Sequence, residues 1–169
     1  IEGISDVVRL EDEFDVPNEI IEIVETGESK TQEKEHKRNM EILPITRFTR
    51  DHQIESMVGV LGVDNKLAIV EEYVARRAKT FVVVRYREQL ERYATRLKEM
   101  GYTVLELHGD VKDRQRVVDE AREGKECVLL ATSAMCEGYD ASTFDTMIFA
   151  SGGYSYRDYS QMKARLVHV

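Results

Sequence analysis

Four polar segments in this chain directly follow apolar runs, and they are the places where the sequence could do chemistry. They are Arg85-Tyr86, His108-Gly109-Asp110, the stretch from Thr132-Ser133 to Gly138-Tyr139-Asp140, and Ser151-Gly152-Gly153. Guanidinium groups, hydroxyls and backbone N–H groups are the donors with which proteins hold phosphate oxygens. Turn residues occur in any loop, so these segments gain meaning only if the fold brings them together.

The apolar runs before these segments predict strands, and the amphipathic patterns between them predict helices. The predicted strands span residues 80–84, 102–107, 127–131 and 146–150. The predicted helices are marked by Leu90, Tyr93, Ala94 and Leu97 before Gly101, and by Val111–Arg122 before Gly124. This alternation predicts an α/β fold with a mainly parallel sheet and helices on both of its faces. Ligands bind outside the carboxyl ends of the strands in such sheets, which is where the polar segments lie.

The sequence before residue 80 carries weaker patterns. The β-branched residues within 19–25 predict one strand, and the charged run 30–40 predicts a solvated segment that ends before Pro44. Two helices are predicted after it. The first is marked by Ile54, Met57, Val58 and Leu61 before Gly62, and the second by Leu67, Ile69, Val70, Tyr73 and Val74 with Asp64 or Asn65 as its cap.

Charge is distributed unevenly along the 169 residues. The net charge of −8 ordinarily argues against a nucleic-acid partner. Residues 1–43 hold 13 acidic and 5 basic side chains, whereas residues 44–169 hold 19 of each. We therefore expect an acidic N-terminal segment over 1–43, with one strand, and a separate domain over 44–169. The neutral balance of that domain permits a local basic surface.

Several classes of protein are excluded by composition. No run approaches the ~18 apolar residues of a membrane span, and no signal-peptide pattern opens the chain. Cys127 and Cys136 are too few and too far apart for a disulfide framework or a metal knuckle. A cytoplasmic, reducing setting without a membrane partner is therefore expected.

The stretch from Lys66 to Arg165 resembles the second, C-terminal RecA-like domain of superfamily 2 helicases. Four segments carry the resemblance, in the order of that family. They are Phe81–Arg85 for motif IV, His108-Gly109-Asp110 with Arg114 and Arg116 for the crossover segment, Val128–Asp140 for motif V, and Gln161–His168 for the start of motif VI. The resemblance implies a three-layer RecA-like fold and an ATP-dependent helicase or translocase, with DNA expected as the partner rather than RNA.

The resemblance also implies roles for individual residues. Arg165 would be the arginine finger that meets charge developing on the transferred phosphoryl group, and Gln161 would orient it. Gly138, Asp140 and His168 would contact the nucleotide. The nucleic-acid backbone would be met by Arg85, Tyr86, His108, Gly109, Asp110, Thr132 and Ser133.

Three positions depart from the family pattern. Ala164 replaces the motif VI glycine, and His168 replaces the second motif VI arginine, although a neutral imidazole cannot substitute for a guanidinium. Glu137 stands where many DEAD-box relatives have arginine. These departures favour a branch nearer to the Snf-type and phage or viral helicases.

The parts that would bind the phosphates and the metal are missing from the sequence. No G-x-x-x-x-G-K-[ST] phosphate loop occurs, and no acidic box for Mg²⁺. ATP with Mg²⁺ would therefore bind jointly with a missing N-terminal RecA-like domain of the same polypeptide. We expect a fragment, truncated within motif VI, that does not hydrolyse ATP alone.

Two alternatives stay open. The first is a catalytically inactive RecA-like module that binds proteins, which Glu137 and His168 would permit. The second is an unrelated doubly wound enzyme, for which Asp110 is the nearest candidate nucleophile.

Overall fold

The computed structural model describes residues 22–40, 44–135, 141–151 and 160. The helices are α1 (Lys30–Asn39), α2 (Pro44–Glu55), α3 (Asn65–Val74), α4 (Arg87–Glu99) and α5 (Arg114–Glu123). The strands are β1 (Lys79–Val84), β2 (Val104–Leu107), β3 (Cys127–Thr132) and β4 (Thr146–Phe149), and a 3-10 turn at Ser133–Met135 follows β3. None of these helices is long and apolar enough to cross a membrane.

The four strands form one parallel sheet in the order β2-β3-β1-β4. Every residue of β1 is buried, as expected of a central parallel strand. Successive residues of β1 face opposite layers. Phe81 and Val83 pack with α5, whereas Val82 and Val84 pack with α3 and α4. The predicted three-layer α/β fold with helices on both faces is therefore confirmed.

The ends of several helices follow the predicted chemistry. The Asp64 side chain caps α3 by accepting a hydrogen bond from the backbone N–H of Leu67 at 3.0 Å. Gly101 follows α4 with a φ of 91°, a left-handed conformation that favours glycine. The start of α5 was predicted too early. Asp113 caps that helix, so it begins at Arg114 rather than at Val111.

The region before α3 differs most from the sequence prediction. Residues 22–29 form no regular element, so the strand predicted over 19–25 is absent from its described half, and 19–21 lie outside the described residues. Pro44 begins α2, a position where its missing N–H is tolerated. The helix ends at Glu55 because Met57 (φ 56°) and Gly59 (φ 65°) turn the chain into the left-handed region. Residues 57–61, predicted as helical, are therefore a loop.

Helices α1 and α2 pack together as a hairpin, so the division expected after residue 43 falls between two elements in contact. Gln32 donates through its side chain to the carbonyl of Ile54 at 3.1 Å. Asp51 accepts hydrogen bonds from Asn39 at 2.6 Å and from His36 at 2.9 Å. Burial alone would raise the pKa of Asp51, but these hydrogen bonds outweigh it and lower the pKa below its ordinary value.

Candidate nucleic-acid interface

The carboxyl ends of the four parallel strands lie at one edge of the sheet, which we call the carboxyl edge. Arg85 and Tyr86 follow β1 there, His108 to Asp110 follow β2, Thr132 ends β3, and Ser133 opens the 3-10 turn. The sheet order places β3 between β1 and β2. The seven residues predicted to contact nucleic acid are therefore gathered at one edge, with Thr132-Ser133 between the other two segments.

A residue that the sequence prediction missed, Arg87, links the segments after β1 and β2. Its Nη1 atom lies 2.6 Å from Nδ1 of His108 and 2.8 Å from Oδ2 of Asp110. A guanidinium group can only donate, so Nδ1 of His108 must be the acceptor. The backbone N–H of Asp110 points to the same atom at 3.3 Å. These contacts fit the His108 tautomer that carries its proton on Nε2.

The position of Arg87 in the chain is unfavourable for a helix, and acidic partners compensate for it. Arg87 is the first residue of α4, where a cation meets the positive end of the helix dipole. Its Nε donates to Glu91 at 2.7 Å, one turn further on, and its Nη1 donates to Asp110. The side chain nevertheless remains 41% exposed. The Arg87 guanidinium thus links two segments of the edge and remains accessible to solvent.

A buried hydrogen-bond chain fixes the backbone at Arg85. The N–H of Arg85 donates to Oγ of Ser151 at 2.8 Å, which joins the ends of β1 and β4. The Ser151 hydroxyl donates in turn to Gln89, which is fully buried, and Gln89 donates to the hydroxyl of Tyr93 at 3.2 Å. Burial raises the pKa of Tyr93, with a further contribution from the charge of Asp64. The phenol therefore stays protonated. Gln89 was also missed by the sequence prediction.

The remaining groups at the edge are arranged for binding rather than for covalent chemistry. The Arg85 guanidinium lies 5.6 Å from the centre of the Tyr86 ring, and Arg114 donates to the Gly109 carbonyl at 3.3 Å. The space around Gly109 is open, since a Cβ there would meet nothing within 4 Å. No group of three or more His, Cys, Asp or Glu that could hold a metal ion occurs among the described residues. The edge therefore offers cations and N–H groups suited to phosphate oxygens.

The residues predicted to act on the nucleotide lie outside the described residues. These are Gly138, Asp140, Gln161, Arg165 and His168. Their roles remain predictions.

Comparison with a family model places most of the chain in a known group. The model described as "Helicase conserved C-terminal domain" matches residues 65–169, which is more than half of the chain. The chain is 29% identical over 121 residues to "ATP-dependent RNA helicase DBP3" of Saccharomyces cerevisiae, covering 68% of this chain and 23% of that protein. It is 29% identical over 92 residues to "UvrABC system protein B" of Streptococcus pyogenes, covering 53% of this chain and 14% of that protein. The chain thus spans less than a quarter of these relatives' length.

Solved structures share the fold. The "Sulfolobus solfataricus SWI2/SNF2 ATPase core domain" matches with a TM-score of 0.65 at 12% identity, covering 83% of this chain and 36% of that one. The "C-terminal domain of the DEAD-box protein Dbp5" matches with a TM-score of 0.54 at 22% identity, covering 62% of this chain and 63% of that one. Residues 65–169 make up about three fifths of the chain, so the SWI2/SNF2 match must extend before residue 65.

These relatives correct one expectation and leave another open. The relatives by sequence are mostly named as ATP-dependent RNA helicases, which goes against the expected preference for DNA. These names do not point to the Snf-type or viral branch, so the branch remains a prediction. The chain belongs to the helicase conserved C-terminal domain family, which is the second RecA-like domain of superfamily 2 helicases.

Proposed function

We propose that this chain is the second motor domain of an ATP-dependent helicase or translocase, and that its carboxyl edge holds the backbone of a nucleic-acid strand. One observation carries the proposal. The Arg87 side chain joins the segments after β1 and β2 across the end of β3, so that separate loops form one surface around a partly exposed cation. Family membership gives that surface its context, and it excludes the alternative of an unrelated doubly wound enzyme that uses Asp110 as nucleophile.

Phosphate binding requires that the Arg87 cation is not fully neutralised. Its Nε and Nη1 atoms are bonded to Glu91, His108 and Asp110. Its Nη2 atom has no hydrogen-bond partner among the residues that the structure describes, and it can donate to a phosphate oxygen while the bridge stays in place. The contact is independent of base identity, as a protein that moves along a strand requires.

RNA is the first partner to test. The curated relatives named as RNA helicases outnumber the others, and the edge contacts described here do not distinguish the two sugars. We expect single strands to bind with a strong dependence on salt, because phosphate contacts release counterions.

ATP with Mg²⁺ would be bound jointly with a first RecA-like domain, because the sequence has no phosphate loop. Arg165 would supply positive charge to the transferred phosphoryl group, Gln161 would orient it, and Gly138, Asp140 and His168 would line the nucleotide. In the protein that carries both domains, Arg165→Ala is expected to reduce ATP turnover far more than nucleotide affinity. Unchanged turnover would remove Arg165 from this role.

Binding of a fluorescein-labelled 12-nucleotide single-stranded RNA, followed by anisotropy, tests the role of the edge. Arg87→Ala is expected to weaken binding by roughly ten- to a hundredfold, since a charge-assisted hydrogen bond to phosphate contributes roughly 1.5–3 kcal/mol. The matched control is Arg76→Ala, which removes the same charge from an exposed residue just after α3. Equal affinities for the two variants would contradict the proposal.

A second variant distinguishes a direct contact between Arg87 and phosphate from a role in which Arg87 only neutralises Asp110. Arg87→Ala also leaves Asp110 without its cation, and this carboxylate would then repel phosphate. In Arg87→Ala/Asp110→Asn the repulsion is absent. The loss of affinity persists in the double variant if Arg87 contacts phosphate, and it disappears if Arg87 only neutralises Asp110.

A further inference from the structure

Helix α1 carries three lysines on one exposed face, which we call the lysine stripe. Lys30, Lys34 and Lys37 are spaced by four and three residues, so they lie along one side of the helix, and all three are exposed. The opposite side carries Gln32 and Asn39, which are buried against α2. The stripe therefore points away from the hairpin into solvent.

The lysines of the stripe form no ion pairs with the described residues. Arg38 on the same helix is paired with Glu35 at 2.9 Å, but none of the three lysines forms an ion pair with any residue that the structure describes. Among the described residues, Glu33 is the one acid that lines the shallow groove beside the stripe. Three cations against one acid leave this face positive within an acidic chain.

Helix stability accounts for only part of the stripe, because Lys37 lies in the last turn of α1, where the helix dipole favours a cation. Lys30 occupies the first position of α1, where the helix dipole disfavours a cation. Ser29 and Gln32 already satisfy the N-terminus through a capping box, which needs no lysine. A ligand of opposite charge would account for Lys30 and Lys34, which extend the stripe away from that last turn.

The spacing of the stripe suits a phosphate backbone. Seven residues of α-helix separate Lys30 from Lys37, a rise of about 10 Å. One strand of a duplex presents a phosphate every ~3.4 Å along its axis, so the stripe spans about three of them. A basic stripe along a helix is a common electrostatic signature of nucleic-acid binding.

The loop 56–63 connects the stripe to the carboxyl edge. At one end, the backbone N–H of Gly59 donates to Glu88 at 2.8 Å, next to Arg87 at the start of α4. At the other end, Gly62 packs on the first turn of α1, where an added Cβ would lie 2.9 Å from Oγ1 of Thr31. The stripe thus begins beside a loop that touches the edge.

From these observations we infer that the lysine stripe is an accessory phosphate-binding surface for a nucleic-acid duplex that continues from the strand held at the carboxyl edge. The inference rests on the proposed function, because it requires that strand. It adds a second contact of the same chemistry outside the family domain, on a helix that precedes residue 65. Because it would contact phosphates only, binding at the stripe is independent of sequence.

The experiment compares Lys34→Gln/Lys37→Gln with Arg77→Gln/Lys125→Gln, which removes two exposed charges from the segments before β1 and β3. The probes are a 12-nucleotide single-stranded RNA and the same RNA extended by a 12-base-pair hairpin. The stripe variant is expected to weaken binding of the hairpin probe by about five- to tenfold and to make its salt dependence shallower by about 1.8 in log–log slope. Its binding of the single strand stays within about twofold of the wild type.

The other outcomes are equally decisive. Lys34→Arg/Lys37→Arg keeps both charges and should keep the affinity for the hairpin probe. Equal hairpin affinities and salt slopes for the stripe and control variants would overturn the inference. If Arg87→Ala still weakened binding of both probes in that case, the proposed function would be retained without the inference. A wild-type chain that binds neither probe would overturn both.

Discussion

The two edges of the sheet use their charged residues in different ways. The amino ends of the strands lie at the opposite edge, which we call the amino edge, and Lys79 begins β1 there. Lys79 is only 9% exposed, donates through Nζ to the Arg122 carbonyl at 2.8 Å, and lies 5.4 Å from the centre of the Phe144 ring. At the carboxyl edge, Arg87 makes three side-chain contacts and still keeps 41% of its surface exposed. The amino edge thus uses its cation to hold the fold together, and the carboxyl edge presents its cation to solvent.

This difference indicates which residues should affect stability and which should affect binding. Charges at the amino edge should change the free energy of unfolding without changing affinity for RNA. Exposed charges at the carboxyl edge should change the affinity for RNA without changing the free energy of unfolding. Gln89 is the instructive exception, because it is a buried residue that supports the carboxyl edge from beneath.

The largest effect on stability is expected for Gln89→Met. The variant keeps most of the side-chain volume but leaves Ser151 and Tyr93 without their buried partner, so we expect a loss of about 3 kcal/mol in urea unfolding. The matched control is Gln115→Met on the exposed side of α5, expected within about 0.5 kcal/mol of the wild type. A loss for Gln89→Met as small as that of the control would show that the hydrogen-bond chain does not support the edge.

A smaller loss is expected for Lys79→Met at the amino edge. The apolar part of the side chain can still pack on Phe144, but the Arg122 carbonyl loses a charged donor, so stability should fall by about 2 kcal/mol. RNA affinity, measured by anisotropy, should stay within about twofold of the wild type. A marked loss of affinity without a loss of stability would reverse the assignment of the two edges.

The smallest difference in stability is expected between alanine substitutions at two glycines. A Cβ at Gly124, after α5, would lie 3.2 Å from the backbone oxygen of Glu120, whereas a Cβ at Gly109 would meet nothing within 4 Å. Gly124→Ala should therefore lower the free energy of unfolding by about 1 kcal/mol, and Gly109→Ala should change it by less than about 0.5 kcal/mol. Thermal unfolding measures both, and the reverse order of melting temperatures would contradict the packing described for the amino edge.

The sheet could be predicted because each of its strands has a recognisable local sequence pattern. Runs such as 81–84 are too short and too β-branched to be anything other than buried strands, and Asp64 and Gly101 mark helix ends by their own chemistry. The end of α2 could not be read in this way. It depends on Met57 in a left-handed conformation, which the residue type does not favour.

The site could be predicted only in part, for a physical reason. The strand ends were visible in the sequence, so Arg85, His108 and Thr132 could be assigned to one edge. The order β2-β3-β1-β4 could not be read from local patterns, and it is in this order that Arg87 reaches Asp110 across β3. Gln89 was missed because it occupies an inward position of an amphipathic helix, where an apolar residue is the usual choice.

The central claim is that nucleic acid binds at the carboxyl edge of the sheet and not at the amino edge. Hydrogen–deuterium exchange of the whole chain, with and without a saturating 12-nucleotide single-stranded RNA, tests it directly. The account predicts added protection in residues 85–91 and 108–114, and no change in residues 75–79 and 123–127. Protection confined to the amino-edge segments, or absent from both edges when anisotropy shows the RNA bound, would contradict it.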